Sequence, residues 1–412
     1  MTVAFKTFGC RLNRAETAKF AASFAAAGFE CVPFGTPADV VVLHTCAVTQ
    51  AAENECLKLT RSLRRKDPSA LLVLTGCAAE AVSAETLKAM GVDLIVTHEK
   101  KDELTAIVSR QLGIPYVPRP FMPLRNTKRA MLKVQDGCNF FCSYCIVPHT
   151  RGLPRSRPFD ECLRDAQAFI RAGFQEIVVT GCNLACYSDG ARGLVDLLAA
   201  LAGLPGLGRL RLGSLEPGTV EMEVAALMAA HGKICKFLHL PIQSGDDGVL
   251  SRMGRRYAAG QMRQTLEDIL RLMPNLGLGA DIITGFPGET PEAFEHTRAL
   301  VSAFPFSNLH VFPYSVRPGT PAATFDGDVP EADRKRRAAV LNRLKARQRA
   351  AFAKQFIGKE VDVLVERLDE DGNAHGWTGE YLDCSISGLD FSSIATRVSC
   401  VPHAAEGNML LA

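Results

Sequence analysis

The 412-residue sequence has no apolar run long enough to cross a bilayer; its longest, from Gly193 to Leu207, is broken by Asp196 and Pro205. Residues Met1 to Cys10 lack the basic stretch and following apolar stretch of a secretory leader. Both absences argue against a membrane role and point to a cytoplasmic protein. Internal repeats and low-complexity tracts are absent too, which leaves ordinary globular domains. A net charge of +3 is too small to identify a partner by itself. Hydrophobic residues at 47% and charged residues at 22% are soluble proportions, and the length calls for two or three domains.

Cysteine, by contrast, is plentiful. Fourteen thiols in a reducing compartment do not make a disulfide framework, so metal ligation is the leading explanation for any clustered subset. Charge is also unevenly spread. Between Glu331 and Lys354 nine basic residues face two acidic ones, which suggests a phosphate-rich partner.

Short β-branched runs at Val3–Thr7, Val40–Leu43, Leu71–Leu74 and Leu94–Val96 alternate with helical patterns from Asn13, Thr49 and Ser83. Residues 1–114 therefore read as a doubly wound α/β domain, whose strand ends converge on one rim. Cys10, Cys46 and Cys77 each fall one to three residues past a strand and so meet at that rim. Taken alone, they read as buried structural thiols. Four prolines mark residues 115–127 as a linker. Residues 128–356 hold six βα units, with strands at Ala130–Val134, Glu176–Thr180, Arg209–Gly213, Phe237–Leu240, Gly279–Ile283 and Asn308–Phe312, enough for a partial barrel open on one side. A basic helix from Pro330 to Phe356 leads to residues 357–412, whose alternation fits a small β-barrel.

The strongest chemical signal is Cys138, Cys142 and Cys145, a C-x3-C-x2-C run just past a strand. Three thiolates on one loop can hold three irons of a [4Fe-4S] cluster and leave the fourth open to a substrate or cofactor. A zinc site is the competing reading, although zinc usually takes four ligands in paired C-x2-C units. Cys182 and Cys186 lie near the same rim, but two thiols make a poor metal site and read as packing.

The run, with Tyr144 inside it, resembles the signature of the radical S-adenosylmethionine (SAM) enzymes, in which that aromatic packs beside the adenine of SAM. Five blocks carry a more specific resemblance to the methylthiotransferases: Asp136–Pro158, Leu212–Pro217, His239–Gly245, Asp281–Thr290 and His310–Pro321. The resemblance implies a second [4Fe-4S] cluster on Cys10, Cys46 and Cys77. It implies SAM contacts from Thr180, Gly181, Ser214, Glu216, Gln243 and Ser244, although such residues also serve as caps and turns. His44 stands where the family usually has asparagine, beside the ligands rather than among them. The tail segment Gly376–Tyr381 looks like the TRAM module, a small RNA-binding barrel, and Arg151, Arg155 and Arg157 would add positive charge for RNA phosphates near the active site.

The resemblance implies exchange of the C2 hydrogen of a modified adenosine for a methylthio group, with one SAM methylating sulfur at the auxiliary cluster and a second supplying the radical. Three substrates are known in the family: N6-threonylcarbamoyladenosine at tRNA position 37, N6-isopentenyladenosine at that position, and an aspartate of a ribosomal protein. Cys10–Asn13, Thr45–Thr49 and Cys145–Pro148 look most like the first group. A tRNA anticodon loop, an electron donor and a sulfur donor are the implied partners. The alternative of another class is a non-catalytic RNA-binding protein whose cysteines hold a structural metal.

Overall fold

Val40–Thr45 is buried along its whole length, as the central strand of a parallel sheet with both faces covered must be. It leads a five-stranded parallel sheet in the order Glu30–Val32, Thr2–Thr7, Val40–Thr45, Leu71–Gly76, Leu94–Val96. The three-residue edge strand Glu30–Val32 is too short and too exposed to show an apolar run, and the sequence pattern misses it. The helix Gln50–Lys66 starts on Thr49, whose hydroxyl accepts from the Ala52 N–H, and ends on Arg64, Arg65 and Lys66, cations suited to a helix carboxyl end. The computed structural model describes residues 1–125 and 127–412. The expected linker contains Asn126, which lies outside the described residues.

Six parallel strands follow: Ala130–Lys133, Glu176–Thr180, Arg209–Leu212, Phe237–Gln243, Gly277–Thr284 and Phe306–Pro313. They form two three-stranded sheets joined by the bridges Leu210–Ile234 and Ser214–His239. The first and sixth strands do not pair, so the barrel is open, and two helices cover its exposed edges. Arg11–Ala26 of the amino-terminal unit packs on the first strand, and the basic helix Glu331–Lys354 packs on the sixth.

Residues 361–411 form a six-stranded, mostly antiparallel sheet. Its loop around Tyr381 enters the amino end of the barrel. Tyr381 stacks on Trp377 at 4.7 Å and lies 4.8 Å from the Phe237 ring, and its hydroxyl accepts from Arg11 at 2.6 Å. Gly277 has no room for a side chain there, since a Cβ would lie 2.2 Å from the Glu380 carbonyl oxygen. The Gly376–Tyr381 segment, on which the TRAM resemblance rests, is thus partly buried inside the molecule.

The amino-terminal unit is fastened to the barrel by buried charge. Glu16, 4% exposed, meets Lys101 at 2.6 Å, Lys133 at 2.5 Å and Arg151 at 3.0 Å. Asp136 meets Arg151 at 2.9 Å and Lys133 at 2.6 Å, and also Lys101. Burial pushes both carboxyls up, but the surrounding cations, Arg151 foremost, hold them well below the ordinary range. Their stabilisation is therefore present above about pH 4 and lost as pH falls through the lower folded values. Arg151→Ala should cost on the order of 3 kcal/mol by leaving both carboxylates short of a partner. A thermal unfolding midpoint unchanged from wild type would contradict this.

Candidate active site between two cysteine triads

Each amino-terminal cysteine sits where a strand gives way to a helix or loop. Cys10 precedes the helix Arg11–Ala26, Cys46 directly follows Val40–Thr45, and Cys77 opens the helix Cys77–Ala81. Glycine makes this close approach possible. Gly9 (φ +85°) would place a Cβ 2.8 Å from Cys46 Sγ, and Gly76 (φ +94°) one 2.4 Å from the Thr45 carbonyl oxygen. Burial pushes the Cys46 thiol up to about 11 against a Val48 N–H, and nearby Cys77 and Cys10 add to the push. His44 is buried beneath this rim, its Nδ1 3.0 Å from Thr17 Oγ1 and its Nε2 3.3 Å from Glu16. It touches the charge network through Glu16.

The second triad lies on the loop after the first barrel strand. Arg255 Nη1 donates to Cys142 Sγ at 3.2 Å, and Asn183 Nδ2 to Cys138 Sγ at 3.7 Å. Burial pushes Cys145 up to about 12. These features fit an iron-sulfur cluster: metal displaces the thiol protons, and N–H donors stabilise the sulfur charge that results. Arg255 also donates to the Pro241 carbonyl at 3.0 Å and pairs with Glu216. Burial pushes the Glu216 carboxyl up to about 7 despite that cation. Sequence reasoning missed Arg255, because no spacing rule connects it to residues 39 and 113 positions away.

A cavity of about 400 Å³ separates the triads, with Cys10, Val48 and Thr49 on one wall and Tyr144, Cys145 and Gln243 on another. Gln243 follows an irregularity in its strand and adopts φ 70°, a conformation unusual for a non-glycine residue and often found at ligand sites. The other expected SAM contacts are placed differently. Thr180 is 4% exposed, and its carbonyl accepts from Val134 N–H. Gly181 packs against Gln135, and Ser214 is exposed at the bridge to His239. Ser244 is a correction: fully buried, it shares its hydroxyl with Thr297 and the Asp246 N–H, as a turn residue would.

Arg151 is a second correction. Expected at an RNA surface, it is 3% exposed and bound to Glu16, Asp136 and Asn13, because two carboxylates outcompete solvent for its planar fork. Arg157 is largely committed to Asp165 at 2.8 Å, whereas Arg155 is exposed. Cys182 donates to Asp136 and Cys186 to Asn139, in keeping with packing.

Two family models match the chain: the radical SAM superfamily over residues 132–301, and an uncharacterized protein family, UPF0004, over residues 2–97. Among solved structures, the radical SAM methyltransferase TsrM from Kitasatospora setae aligns with TM-score 0.57 and 15% identity over 78% of this chain and 75% of that one, a likeness of fold. The fold and its cysteine loop define a radical SAM enzyme, a class that works with a [4Fe-4S] cluster and SAM. Relatives narrow the class. The threonylcarbamoyladenosine tRNA methylthiotransferase MtaB of Bacillus subtilis is 33% identical over 94% of this chain and 91% of its own. MtaB of Thermotoga maritima is 32% identical over 99% of both. A tRNA-2-methylthio-N(6)-dimethylallyladenosine synthase of Novosphingobium aromaticivorans is 36% identical over 89% of this chain and 87% of its own. The chain belongs to the radical SAM methylthiotransferases and is a transferase. Among the described residues no helix is long and apolar enough to cross a membrane.

Arg255→Leu would remove the donor to Cys142 and the counter-charge of Glu216 together. Reductive SAM cleavage by the reconstituted variant should fall at least about tenfold, the equivalent of one charge-assisted hydrogen bond. Cleavage at the wild-type rate would show that Arg255 is only a packing residue.

Proposed function

We propose that this enzyme converts N6-threonylcarbamoyladenosine at tRNA position 37 to its 2-methylthio derivative. The observation that carries the reading is the cavity walled by Cys10 on one side and Cys145 on the other. It is a space in which a group held at one triad can reach a base attacked from the other. Relatives bearing the threonylcarbamoyladenosine name at 32–33% identity over 94% and 99% of the chain support the substrate. The dimethylallyl reading is the second, favoured by the 36% identity of the Novosphingobium relative.

In this reading Cys138, Cys142 and Cys145 hold the cluster at which SAM is cleaved, and Cys10, Cys46 and Cys77 hold a second [4Fe-4S] cluster that bears the sulfur. When bound, the pair supplies a radical that removes the C2 hydrogen and a methylated sulfur that replaces it. The chain's own part is positional. Arg255 and Asn183 stabilise sulfur charge, Tyr144 offers a ring beside the cysteine loop, and Gln243 projects a polar group into an otherwise mostly apolar wall. An electron donor and a sulfur donor complete the system, which works in the cytoplasm. The units 1–114, 128–356 and 357–412 divide the labour into sulfur supply, radical chemistry and, through a TRAM-like tail, RNA binding.

Mass spectrometry of tRNA nucleosides from cells lacking the protein should show loss of 2-methylthio-N6-threonylcarbamoyladenosine; loss of the dimethylallyl derivative would select the second reading. In vitro, Cys138→Ala, Cys142→Ala or Cys145→Ala should abolish SAM cleavage. Cys10→Ala, Cys46→Ala or Cys77→Ala should retain it, lose methylthiolation and lower iron from about eight to about four atoms per chain. Full product from any of the latter three would refute the sulfur-bearing role.

Beside the tail, the outer face of the connecting helix Glu331–Lys354 extends the RNA contact. Arg334, Lys335, Arg336 and Arg337 are engaged by acidic partners, whereas Arg343, Arg347 and Lys354 are exposed and unpaired among the described residues. Replacing those three by alanine should make the salt dependence of tRNA binding shallower, by about 0.7–0.9 in log–log slope for each phosphate that is no longer neutralised. SAM cleavage without RNA should not change. An unaltered slope across a salt titration would move the RNA surface elsewhere.

A further inference from the structure

Where the fourth, fifth and sixth barrel strands meet the cavity, His239, Asp281 and His310 come together. One Asp281 oxygen lies 3.0 Å from His239 Nε2 and 3.1 Å from His310 Nδ1. Burial would push this carboxyl up, but hydrogen bonds from both rings hold it well below the ordinary range. An ionised carboxylate only accepts, so His310 Nδ1 carries hydrogen. His310 Nε2, on the far side of the ring, then has no protein partner among the described residues.

The two histidines differ in surroundings. His239 is buried, with its ring over Gly279, where a Cβ would lie 2.5 Å from Nδ1. His310 is 45% exposed on the cavity wall. Two residues on, along the same face of the strand, Phe312 is also 45% exposed. Much of the remaining wall, including Ile146, Val147, Ile283 and Pro313, is apolar, and no lysine or arginine lines it among the described residues.

We propose that His310, oriented by Asp281, is the specificity-determining residue that receives the carboxylate of the target's N6 substituent, while the base lies against Phe312. The inference rests on the threonylcarbamoyl reading above. A dimethylallyl group would need only the apolar wall, whereas a carboxylate entering it must find a donor. His310 supplies that donor from Nε2. In its imidazolium form the ring lies between Asp281 and the incoming carboxylate and donates to both, from Nδ1 to Asp281 and from Nε2 to the carboxylate.

The test compares reconstituted wild-type enzyme, His310→Ala and His310→Lys on anticodon stem-loops carrying N6-threonylcarbamoyladenosine, its carboxamide analogue, or N6-dimethylallyladenosine. For the threonylcarbamoyl substrate, His310→Ala should raise KM about 10- to 100-fold, the weight of one hydrogen bond to a charged group, with kcat little altered. The carboxamide should be a poor substrate for wild type and no poorer for the variant, and lysine should restore part of the loss. Iron content should match wild type in both variants. Wild-type turnover of the threonylcarbamoyl substrate with an unchanged KM in His310→Ala would overturn the inference alone. So would equal losses on acid and amide, or stoichiometric zinc that His310→Ala removes. Wild-type action on the dimethylallyl substrate alone would overturn the substrate reading and this inference with it.

Discussion

The arrangement of the active site depends on five clustered charges, the buried carboxylates of Glu16 and Asp136, the buried cations of Lys101 and Arg151, and the half-buried Lys133. Taking these groups out of water is costly, and only near-complete mutual satisfaction offsets it. They come from the first amino-terminal helix, the segment after the fifth strand, the first barrel strand and the two segments flanking the cysteine loop, Gln135–Asp136 and the helix Val147–Arg151, so the network exists only when the two units are docked. Asn13 extends it to the cysteines. Its Nδ2 donates to the carbonyls of Phe8 and Thr45, on the loops carrying Cys10 and Cys46, and its Oδ1 accepts from Arg151 at 2.6 Å. One side chain thus ties the auxiliary rim to the radical SAM loop.

Two more arginines complete the fastening. Arg317 reaches Gln50 at 3.1 Å and Glu53 at 2.5 Å beside the cavity, and Arg11 reaches Tyr381 at 2.6 Å. Planar guanidinium forks suit this work, because each can hold acceptors from two directions without giving up its charge. The open barrel makes the docking useful. A closed barrel would have no lateral side on which a second unit could present Cys10 to Cys145, whereas six strands leave a gap that the amino-terminal helix and its loops fill.

The parts legible in the sequence are those governed by short-range rules. All six barrel strands lie within three residues of the places the sequence assigns them, and the C-x3-C-x2-C spacing marks its loop because three ligands on one turn need no tertiary partner to be recognised. What was not legible depends on pairs distant in sequence. Arg151 looks like surface charge until Glu16, 135 positions earlier, is seen against it. Ser244 looks like a ligand contact until Thr297 takes its hydroxyl. A polar residue at a strand end has the same local signature whether it faces a ligand or a neighbouring helix, and only packing tells the two apart.

The cavity's composition then acquires meaning from its chemistry. A carbon radical reacts with whatever hydrogen donor it meets, so its surroundings must exclude solvent and hold few mobile groups. Side chains such as Ile146, Val147, Ile283, Phe312 and Pro313 meet that demand, and their apolar surface gives little basis for telling one adenine derivative from another. Discrimination must then come from the few polar groups that remain, and each of those must be fixed so that it cannot swing into the path of the reaction. Asp281 holds both histidines on one oxygen, and the irregular strand at Pro241–Gln243 fixes Gln243 in an uncommon backbone conformation. The restraint on these side chains follows from the same requirement that keeps the rest of the wall apolar.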